Sequence, residues 1–406
     1  MRNNIKSLNR IAAIALVALA LAFALPSITL ATDSISSVLD QSLEVGDSFQ
    51  KTIDGGFIVV STREAKDANG NDVWLTKTDD EGKEIWTKSY SFGPGEDDGA
   101  SVLQTKDGGY AVAGYTNSMD ATYDVLLMKT DSNGSELWKK TFSLGSGNDV
   151  GADVRATDDG GFVIAGKTES KSGSGSDVLL LKADAEGSEL WNKTFSFGPG
   201  NDIGVSVLQN KDGGYTIAGY TNSTSSSYDA LLMKTDSSGN KLWNKTYSLG
   251  SGDDVSGDVR EIKDGYIMAG RTSSKGTGSE DVLFIKTDSS GNEIWTKTFS
   301  LGMGKEGGSS VQQSNDGGYV LAGFTDSTGT GSSDVLLLKT DAEGNEMWNK
   351  TFNFGSGNDI GGDIRSTDDG YVVAGVTATD NGRDVILIKT DLDGNEQWRN
   401  SFTGGE

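Results

Sequence analysis

Short runs of apolar and β-branched residues, separated by turns rich in glycine, aspartate, asparagine and serine, recur along the chain after residue 32. In one representative stretch, four such runs occupy residues 99–105, 110–116, 124–130 and 136–142. Runs of this length, bounded by these turn residues, are typical of β-strands. No segment after residue 32 combines a helical period with capping residues. The pattern therefore predicts an all-β protein built from four-stranded units.

The four-stranded unit is repeated seven times. Its most regular marker is a tryptophan, preceded by an Asp-x-x-Gly turn, that recurs every 50 to 53 residues at Trp86, Trp138, Trp191, Trp243, Trp295, Trp348 and Trp398. Four-stranded repeats of about 50 residues are typical of a β-propeller, whereas solenoid coils are shorter and need capping ends. The sequence therefore predicts a seven-bladed β-propeller of four-stranded antiparallel blades over residues 46–402, with residues 403–406 as a tail. The tryptophans should be buried between blades.

Residues 1–31 have the organisation of a secretory signal peptide. Three basic residues and no acid precede an unbroken apolar run over 11–25, which Pro26 ends ahead of a small-residue cleavage site at Ala31. The run is shorter than the roughly 20 residues of a membrane-spanning helix, and an uncleaved anchor is the alternative. We therefore expect a protein that is secreted, periplasmic or on the cell surface. Residues 32–45 would form a linker or a strand that closes the ring.

The composition excludes several kinds of chemistry. The sequence has no histidine and no cysteine, so it offers no imidazole base, no thiolate nucleophile, no disulfide and no zinc site built on these ligands. The formal net charge is −24 at pH 7, which opposes binding to a nucleic-acid backbone. We expect a monomer that binds neither nucleic acid nor, once the signal is cleaved, a membrane.

Blocks such as GSGNDVGADVRATDDGGFVIAGKT (145–168) resemble exported bacterial and archaeal seven-bladed propeller repeats. The Asp-x-x-Gly-x-x-x-Trp turns also resemble the tryptophan-docking turns of quinoprotein (PQQ) dehydrogenase propellers, in which the tryptophan packs against the neighbouring blade. The resemblance spans about residues 45–402 and implies an architecture, not an activity. The turn is one residue shorter than in the quinoproteins, and the cysteine pair that those enzymes place beside the quinone is missing. We therefore expect no redox cofactor.

The innermost strands alternate in composition from blade to blade. Three carry an Asp-x-Arg triplet, namely Asp153 with Arg155, Asp258 with Arg260 and Asp363 with Arg365. The other four carry serine instead, at Ser48, Ser101, Ser206 and Ser310. Residues two apart share a strand face, so each Asp–Arg pair should line the central channel. We favour a structural ring of ion pairs, and a polar ligand site in the channel mouth is the alternative.

A second alternation occurs at the end of the second strand of the blades, where aromatic and cationic residues alternate from one blade to the next. These residues are Tyr115, Lys167, Tyr220, Arg271 and Phe324. They adjoin the loops between second and third strands, which vary most in length and share a face with the connections between blades. Variable loops on a rigid scaffold often bind ligands, and exposed aromatic rings can stack on sugars. We predict that these five residues bind the ligand, and inter-blade packing is the alternative.

The connections between blades carry acids, among them Asp98, Asp149, Asp202, Asp254 and Asp359. Clustered carboxylates suit Ca²⁺, which takes six to eight oxygen ligands. Each connection offers only one or two acids, however, and aspartate is common in tight turns. Turn formation is the favoured interpretation of these aspartates, and Ca²⁺ binding is the minority one.

Together these features predict an exported, non-enzymatic β-propeller that binds a glycan, a surface polymer or a protein partner through its loop-rich face. Catalytic sites usually break repeat symmetry, and little in these near-identical blades does. The alternatives are a carbohydrate-active enzyme that uses carboxylates and a scaffold subunit of an envelope assembly. No catalytic residue is assigned.

The expected absence of a redox cofactor can be measured. The purified protein should show no quinone or flavin absorbance band. Because PQQ can be lost during purification, reconstitution with PQQ and Ca²⁺ should also produce no dehydrogenase activity. A quinone spectrum, or activity that depends on added PQQ, would contradict the prediction.

Overall fold

The computed structural model describes residues 48–64, 70–118, 122–169, 175–327, 332–379 and 382–402. Within these residues the chain forms 28 β-strands and no helix, so none of them lies in a helix that could cross a membrane. The strands form seven four-stranded antiparallel sheets, each made of four consecutive strands, arranged as the blades of a ring. The prediction of an all-β, seven-bladed propeller is thereby confirmed.

Each blade runs from an innermost first strand to an outermost fourth strand. Blades 1 to 4 contain β1 (Ser48–Lys51), β2 (Phe57–Glu64), β3 (Asn71–Thr78), β4 (Glu84–Tyr90), β5 (Asp97–Gln104), β6 (Tyr110–Thr116), β7 (Asp124–Thr130), β8 (Glu136–Phe142), β9 (Asp149–Ala156), β10 (Phe162–Thr168), β11 (Asp177–Ala183), β12 (Glu189–Phe195), β13 (Asp202–Gln209), β14 (Tyr215–Thr221), β15 (Asp229–Thr235) and β16 (Lys241–Tyr247). Blades 5 to 7 contain β17 (Asp254–Ile262), β18 (Gly265–Thr272), β19 (Asp281–Asp288), β20 (Glu293–Phe299), β21 (Glu306–Gln313), β22 (Tyr319–Thr325), β23 (Asp334–Thr340), β24 (Glu346–Phe352), β25 (Asp359–Thr367), β26 (Gly370–Thr379), β27 (Gly382–Asp391) and β28 (Glu396–Phe402).

The third strand of each blade supplies most of the core. In β7, Leu126 packs with residues of blade 1, whereas the adjacent Leu127 packs with residues of blade 3. Successive side chains on a strand point to opposite faces, and both faces of a blade are covered by neighbouring blades. This explains why the third strands are continuous apolar runs instead of alternating ones.

A β-bulge interrupts the pairing of first and second strands in blades 2 to 7. In blade 3, Ala165 pairs with Asp153 and Gly166 pairs with Gly151, which leaves one extra residue in the innermost strand. A Cβ on Gly166 would lie 1.8 Å from the Val150 carbonyl oxygen, so only glycine permits this close approach. The bulge sets the direction in which the first residues of each innermost strand point.

Each repeated tryptophan lies on an outermost strand and reaches to the next blade. The Trp138 ring comes within 2.5 Å of the position of a Cβ on Gly187, in the Asp-x-x-Gly turn of blade 3. Its edge meets Phe162, with ring centroids 6.0 Å apart. Trp398 packs on Gly82 in the same way and joins blade 7 to blade 1. Each of these tryptophans is half-buried, so the prediction was right about their position between blades and wrong about their full burial.

Blades 7 and 1 meet through side chains. Phe49 and Leu387 belong to one apolar cluster between these blades. Arg365 donates a hydrogen bond to the Phe49 carbonyl over 3.2 Å, and Asn400 donates one to the Glu81 carbonyl over 2.8 Å. Within the described ranges, neither blade contributes a strand to the other's sheet.

The termini lie outside the described residues. The signal peptide over 1–31, the linker or closing strand over 32–45 and the tail over 403–406 therefore stay predictions. The described propeller strands run from Ser48 to Phe402.

Two glycines of blade 3 allow the cost of backbone strain to be measured apart from the cost of a clash with tryptophan. Both have positive φ, 86° at Gly160 and 76° at Gly187, but a Cβ on Gly160 would meet nothing within 4 Å. Gly160→Ala should therefore cost only the left-handed backbone strain, about 1–2 kcal/mol. Gly187→Ala should cost about 1–3 kcal/mol more, because its methyl group overlaps Trp138. Denaturant titration of both variants measures the difference, and equal destabilisation would contradict this account of the blade contact.

Candidate ligand-binding face

Hydrogen bonds fasten the loops between second and third strands to the connections between blades. These segments form one face of the ring, termed the loop-rich face. The Asn117 N–H donates to the Glu96 carbonyl over 3.1 Å, and the Glu96 N–H donates to Asn117 Oδ1 over 2.7 Å. Asn222 and Asn201 repeat both bonds between blades 3 and 4. The described loop ends are therefore held as one surface.

Most innermost strands begin with a wholly buried acid. These acids are Asp97, Asp149, Asp202, Asp254, Glu306 and Asp359. One oxygen of Asp202 accepts the Phe197 N–H over 2.7 Å, and the other accepts the hydroxyls of Thr221 and Ser223. These bonds hold the connection in its turn. Burial raises the pKa of Asp149, Asp202, Asp254 and Asp359, and a second nearby carboxylate raises it further.

Asp98 does not belong with these acids. Asp97 pairs with Thr116 as Asp149 pairs with Thr168, so Asp97 occupies the equivalent position. The grouping of Asp98 with the other candidate Ca²⁺ ligands is therefore wrong. Adjacent residues on a strand point to opposite faces, and the sequence repeat alone did not show which of the two aspartates begins the strand. No group of three or more acids that could hold a metal ion occurs among the described residues.

Asp98 instead joins a cluster of polar and aromatic residues between blades 1 and 2. Tyr115 and Tyr123 are both half-buried and meet edge to face, with ring centroids 5.2 Å apart. Tyr115 and Thr62 form hydrogen bonds to the Asp98 carboxylate. Burial nevertheless raises the pKa of Asp98 to about 7, and the charge of nearby Glu96 adds to this effect. Two rings and two carboxylates thus meet at a partly exposed point of the loop-rich face.

The equivalent tyrosines of blade 4 are closed off from solvent. Tyr220 is 1% exposed and meets Tyr228 edge to face at 5.0 Å. Phe324 is also buried, at 6% exposure. The prediction that these aromatic residues offer exposed stacking faces is therefore wrong for Tyr220 and Phe324. Tyr228 lies against the Tyr220 ring, and the Phe324 ring packs on Gly307 of the innermost strand.

The two predicted cations of this face are already paired. Lys167 is buried, which lowers its pKa, and its Nζ lies 3.4 Å from Glu169 Oε1. Arg271 is partly exposed and lies 3.5 Å from Glu280 Oε2. The five predicted ligand residues therefore do not form one lining. Of these five, Tyr115 and Arg271 are the two that are partly exposed.

At the centre of the ring, the innermost strands are joined by hydrogen bonds between alternating residues. Asp153 accepts bonds from the hydroxyls of Ser101 and Ser206, over 2.9 and 3.4 Å. Asp258 accepts bonds from Ser206 and Ser310, over 3.2 and 3.0 Å. Each aspartate thus links its own strand to both neighbouring blades.

Each arginine of the Asp-x-Arg triplets pairs with the aspartate two residues before it. Arg155 lies 3.2 Å from Asp153, and Arg260 lies 2.9 Å from Asp258. Arg365 pairs with Asp363 and also bonds to the backbone of blade 1. Charges and donors at the centre are largely matched within the protein, which supports the interpretation as a structural ring.

Two groups of residues were missed by the sequence reasoning. Tyr123 and Thr62 complete the cluster around Asp98, but they lie in a variable loop and in the least regular blade. A buried aspartate also begins several third strands, at Asp124, Asp177, Asp229, Asp281 and Asp334. The recurring Asp before an apolar run was the available signal for the second group.

No protein-family model and no curated protein matches the chain. Among solved structures, the WD40 β-propeller domain of Doa1 is similar at 13% identity and a TM-score of 0.49, with 86% of this chain and 93% of that chain covered. Streptogramin B lyase is similar at 11% identity and a TM-score of 0.47, with 86% and 96% covered. The propeller domain of the Trilobed protease from Pyrococcus furiosus gives 11% identity and a TM-score of 0.43, with 83% and 94% covered. Likenesses at this level carry no argument about function.

The structural role of the central ring can be tested at Asp258. Asp258→Ala should cost about 3–5 kcal/mol, because Arg260 would lose its nearer partner and keep a buried charge with only Asp363, 3.8 Å away, beside it. The control Glu136→Ala removes an exposed ion pair with Lys139 at 3.7 Å and should cost less than about 1 kcal/mol. Denaturant titration measures both. A cost at Asp258 no larger than the control would instead favour a ligand site in the channel.

Proposed function

We propose that the protein is an exported, non-enzymatic β-propeller that binds a glycan, a surface polymer or a protein partner through its loop-rich face. The apolar run over 11–25 behind basic residues supports export to the cell surface, the periplasm or the medium. The matched hydrogen bonds at the ring centre favour the loop-rich face over the channel as the binding surface.

One observation carries the proposal, namely the contrast between two equivalent tyrosine pairs. Tyr220 and Tyr228 of blade 4 are buried, whereas Tyr115 and Tyr123 of blade 2 are partly exposed in nearly the same edge-to-face arrangement. The fold therefore does not need exposed rings at this position. A partly exposed aromatic pair beside polar groups is typical of binding sites.

The chemistry around the blade 2 pair favours neutral sugars among the possible ligands. Asp98 and Glu96 adjoin Tyr115, and carboxylates accept hydrogen bonds from sugar hydroxyls. Acidic sugars would be repelled by these carboxylates and by the net charge of −24. The cations Lys167 and Arg271 are paired with their own acids, so they offer no compensation.

A carbohydrate-active enzyme is the second candidate, and Asp98 favours it. A carboxyl with a pKa of about 7 can act as a general acid near neutral pH, and Glu96 supplies a second carboxylate nearby. The two candidates share the same ligand and differ in whether the ligand is cleaved.

Binding to a panel of immobilised neutral oligosaccharides, with uronic-acid oligosaccharides as the acidic comparison, tests the proposal. Tyr115→Ala and Tyr123→Ala should each weaken binding about tenfold, which corresponds to about 1.4 kcal/mol of lost contact. Ile53→Ala is the surface control, because Ile53 is 83% exposed in a turn at the opposite ends of the strands. Melting curves confirm folding.

Unchanged affinity in both tyrosine variants, or preference for the acidic panel, would overturn the assigned site. Release of sugar products that disappears in Asp98→Asn would support the enzyme and refute the non-enzymatic proposal.

A further inference from the structure

Two wholly buried carboxylates lie side by side between blades 5 and 6. Asp281 begins β19 and Glu306 begins β21, and both are 0% exposed. Glu280 and Lys305 form a parallel bridge, and the Glu306 N–H donates to the Glu280 carbonyl over 2.9 Å. Facing residues of parallel strands point to the same side, so the next pair along, Asp281 and Glu306, project together into the same interior space.

Both carboxylate oxygens of Asp281 have no hydrogen-bond partner within the described residues. The Glu306 carboxylate, in contrast, is contacted by the Ser327 hydroxyl and the Leu301 N–H. Glu306 Oε1 accepts the Thr325 hydroxyl over 3.3 Å. Buried oxygens without a donor or cation are rare and costly, and for Asp281 this holds for the entire charged group.

At the other interfaces the equivalent acids lack a partner within the described residues on at most one oxygen, as at Oδ1 of Asp149, Asp177, Asp229 and Asp359. Between blades 6 and 7, Asp334 accepts the Asn353 side-chain amide over 2.6 Å, and Asp359 accepts the Phe354 N–H over 2.6 Å. The interface between blades 5 and 6 keeps both acids but lacks a side-chain amide donor to Asp281 among the described residues. The difference points to a missing positive partner at this interface.

Nearby cationic side chains are engaged elsewhere. Arg271 and Lys305 lie 3.5 and 3.8 Å from Glu280, whose side chain neighbours the site along the chain. Of the ion pairs within the described residues, none includes Asp281 or Glu306. Two buried carboxylates therefore lie together, and no protein cation among the described residues is paired with them.

The loop ahead of β19 is fastened directly over the Asp281 carboxylate. Gly276 has a φ of 116°, and a Cβ on it would lie 1.6 Å from Asp281 Oδ2. Thr277 Oγ1 donates to the Gly302 carbonyl over 2.9 Å, and the Ser279 N–H donates to the Gly304 carbonyl over 3.0 Å. The loop backbone thus packs directly against the Asp281 carboxylate and is held there by its bonds to the connection between blades 5 and 6.

We propose that Asp281 and Glu306 bind one divalent cation, Ca²⁺, between blades 5 and 6. All available ligands are oxygens, which suits Ca²⁺ and Mg²⁺ and not zinc, whose structural sites use Cys and His. Ca²⁺ accepts irregular coordination by carboxylates, carbonyls and hydroxyls, whereas Mg²⁺ requires near-octahedral geometry and retains its waters. An enclosed site shaped by a loop therefore favours Ca²⁺. The cation would tie blade 5 to blade 6 and fix the loop over residues 273–280.

The test uses the full purified chain after removal of divalent ions with a chelator. Calorimetric titration with CaCl₂ and elemental analysis of the dialysed protein should show one Ca²⁺ per chain, with MgCl₂ binding at least tenfold more weakly. At a free Ca²⁺ concentration 100 times the dissociation constant, the melting temperature should rise by about 5 °C.

Asp281→Asn and Glu306→Gln should each weaken Ca²⁺ binding at least 100-fold and abolish the rise in melting temperature. The matched control is Asp334→Asn, which alters the equivalent acid at an interface that already has its donor, and it should bind Ca²⁺ as the wild type does. In chelator, Asp281→Asn should melt at or above the wild-type temperature, because it removes a buried negative charge.

Two results would overturn the proposal. One is a wild-type melting temperature that does not respond to Ca²⁺, as expected if the two acids share a proton instead. The other is equal Ca²⁺ binding by wild type and Asp281→Asn. The wild-type melting temperatures with and without Ca²⁺ test the proposal even if a variant fails to fold.

Discussion

A closed ring of seven blades cannot alternate two kinds of residue all the way round, and the hydrogen bonds at the ring centre depend on such alternation. An aspartate accepts hydrogen bonds from serines on both sides, as Asp153 and Asp258 do. Two neighbouring aspartates would bring like charges together in a desolvated space. Because seven is odd, one junction must join two of the same kind. It joins Ser48 and Ser101, in blades 1 and 2.

The protein relieves this mismatch with backbone groups. Ser48 Oγ accepts the Val102 N–H over 3.1 Å, as Asp153 accepts the Val207 N–H over 2.9 Å. The hydrogen bond to the neighbouring strand is therefore kept, but serine brings no negative charge to this interface. The same two blades carry the partly exposed cluster of Tyr115, Tyr123 and Asp98. Blades 1 and 2 thus depart from the repeat both at the ring centre and on the loop-rich face. The tryptophan contacts on the outermost strands, in contrast, are the same in all seven blades.

The fold could be predicted from sequence because period and turn chemistry repeat seven times, so that errors in single strands did not matter. Single residues could not be placed so well. A β-bulge and the choice between Asp97 and Asp98 as the first strand residue decide which way each carboxylate points. The Tyr220 ring is packed against Tyr228, which comes from the loop after its own strand, and the repeat does not show how that loop folds. Asp281 and Glu306 belong to different blades. Their proximity became visible only from the parallel contact between the ends of their strands.

The alternation at the centre also bears on how such a protein grows during evolution. Asp153, Asp258 and Asp363 follow one another at intervals of 105 residues, which is the length of two blades. A duplicated two-blade cassette brings its own acceptor and its own donor, so it can be inserted without placing two aspartates side by side. A single aspartate-bearing blade, in contrast, avoids an aspartate neighbour only if it is added between the two serine-bearing blades 1 and 2. The junction of blades 1 and 2 is therefore the place in the ring where one added aspartate-bearing blade would make the alternation complete, with eight blades instead of seven.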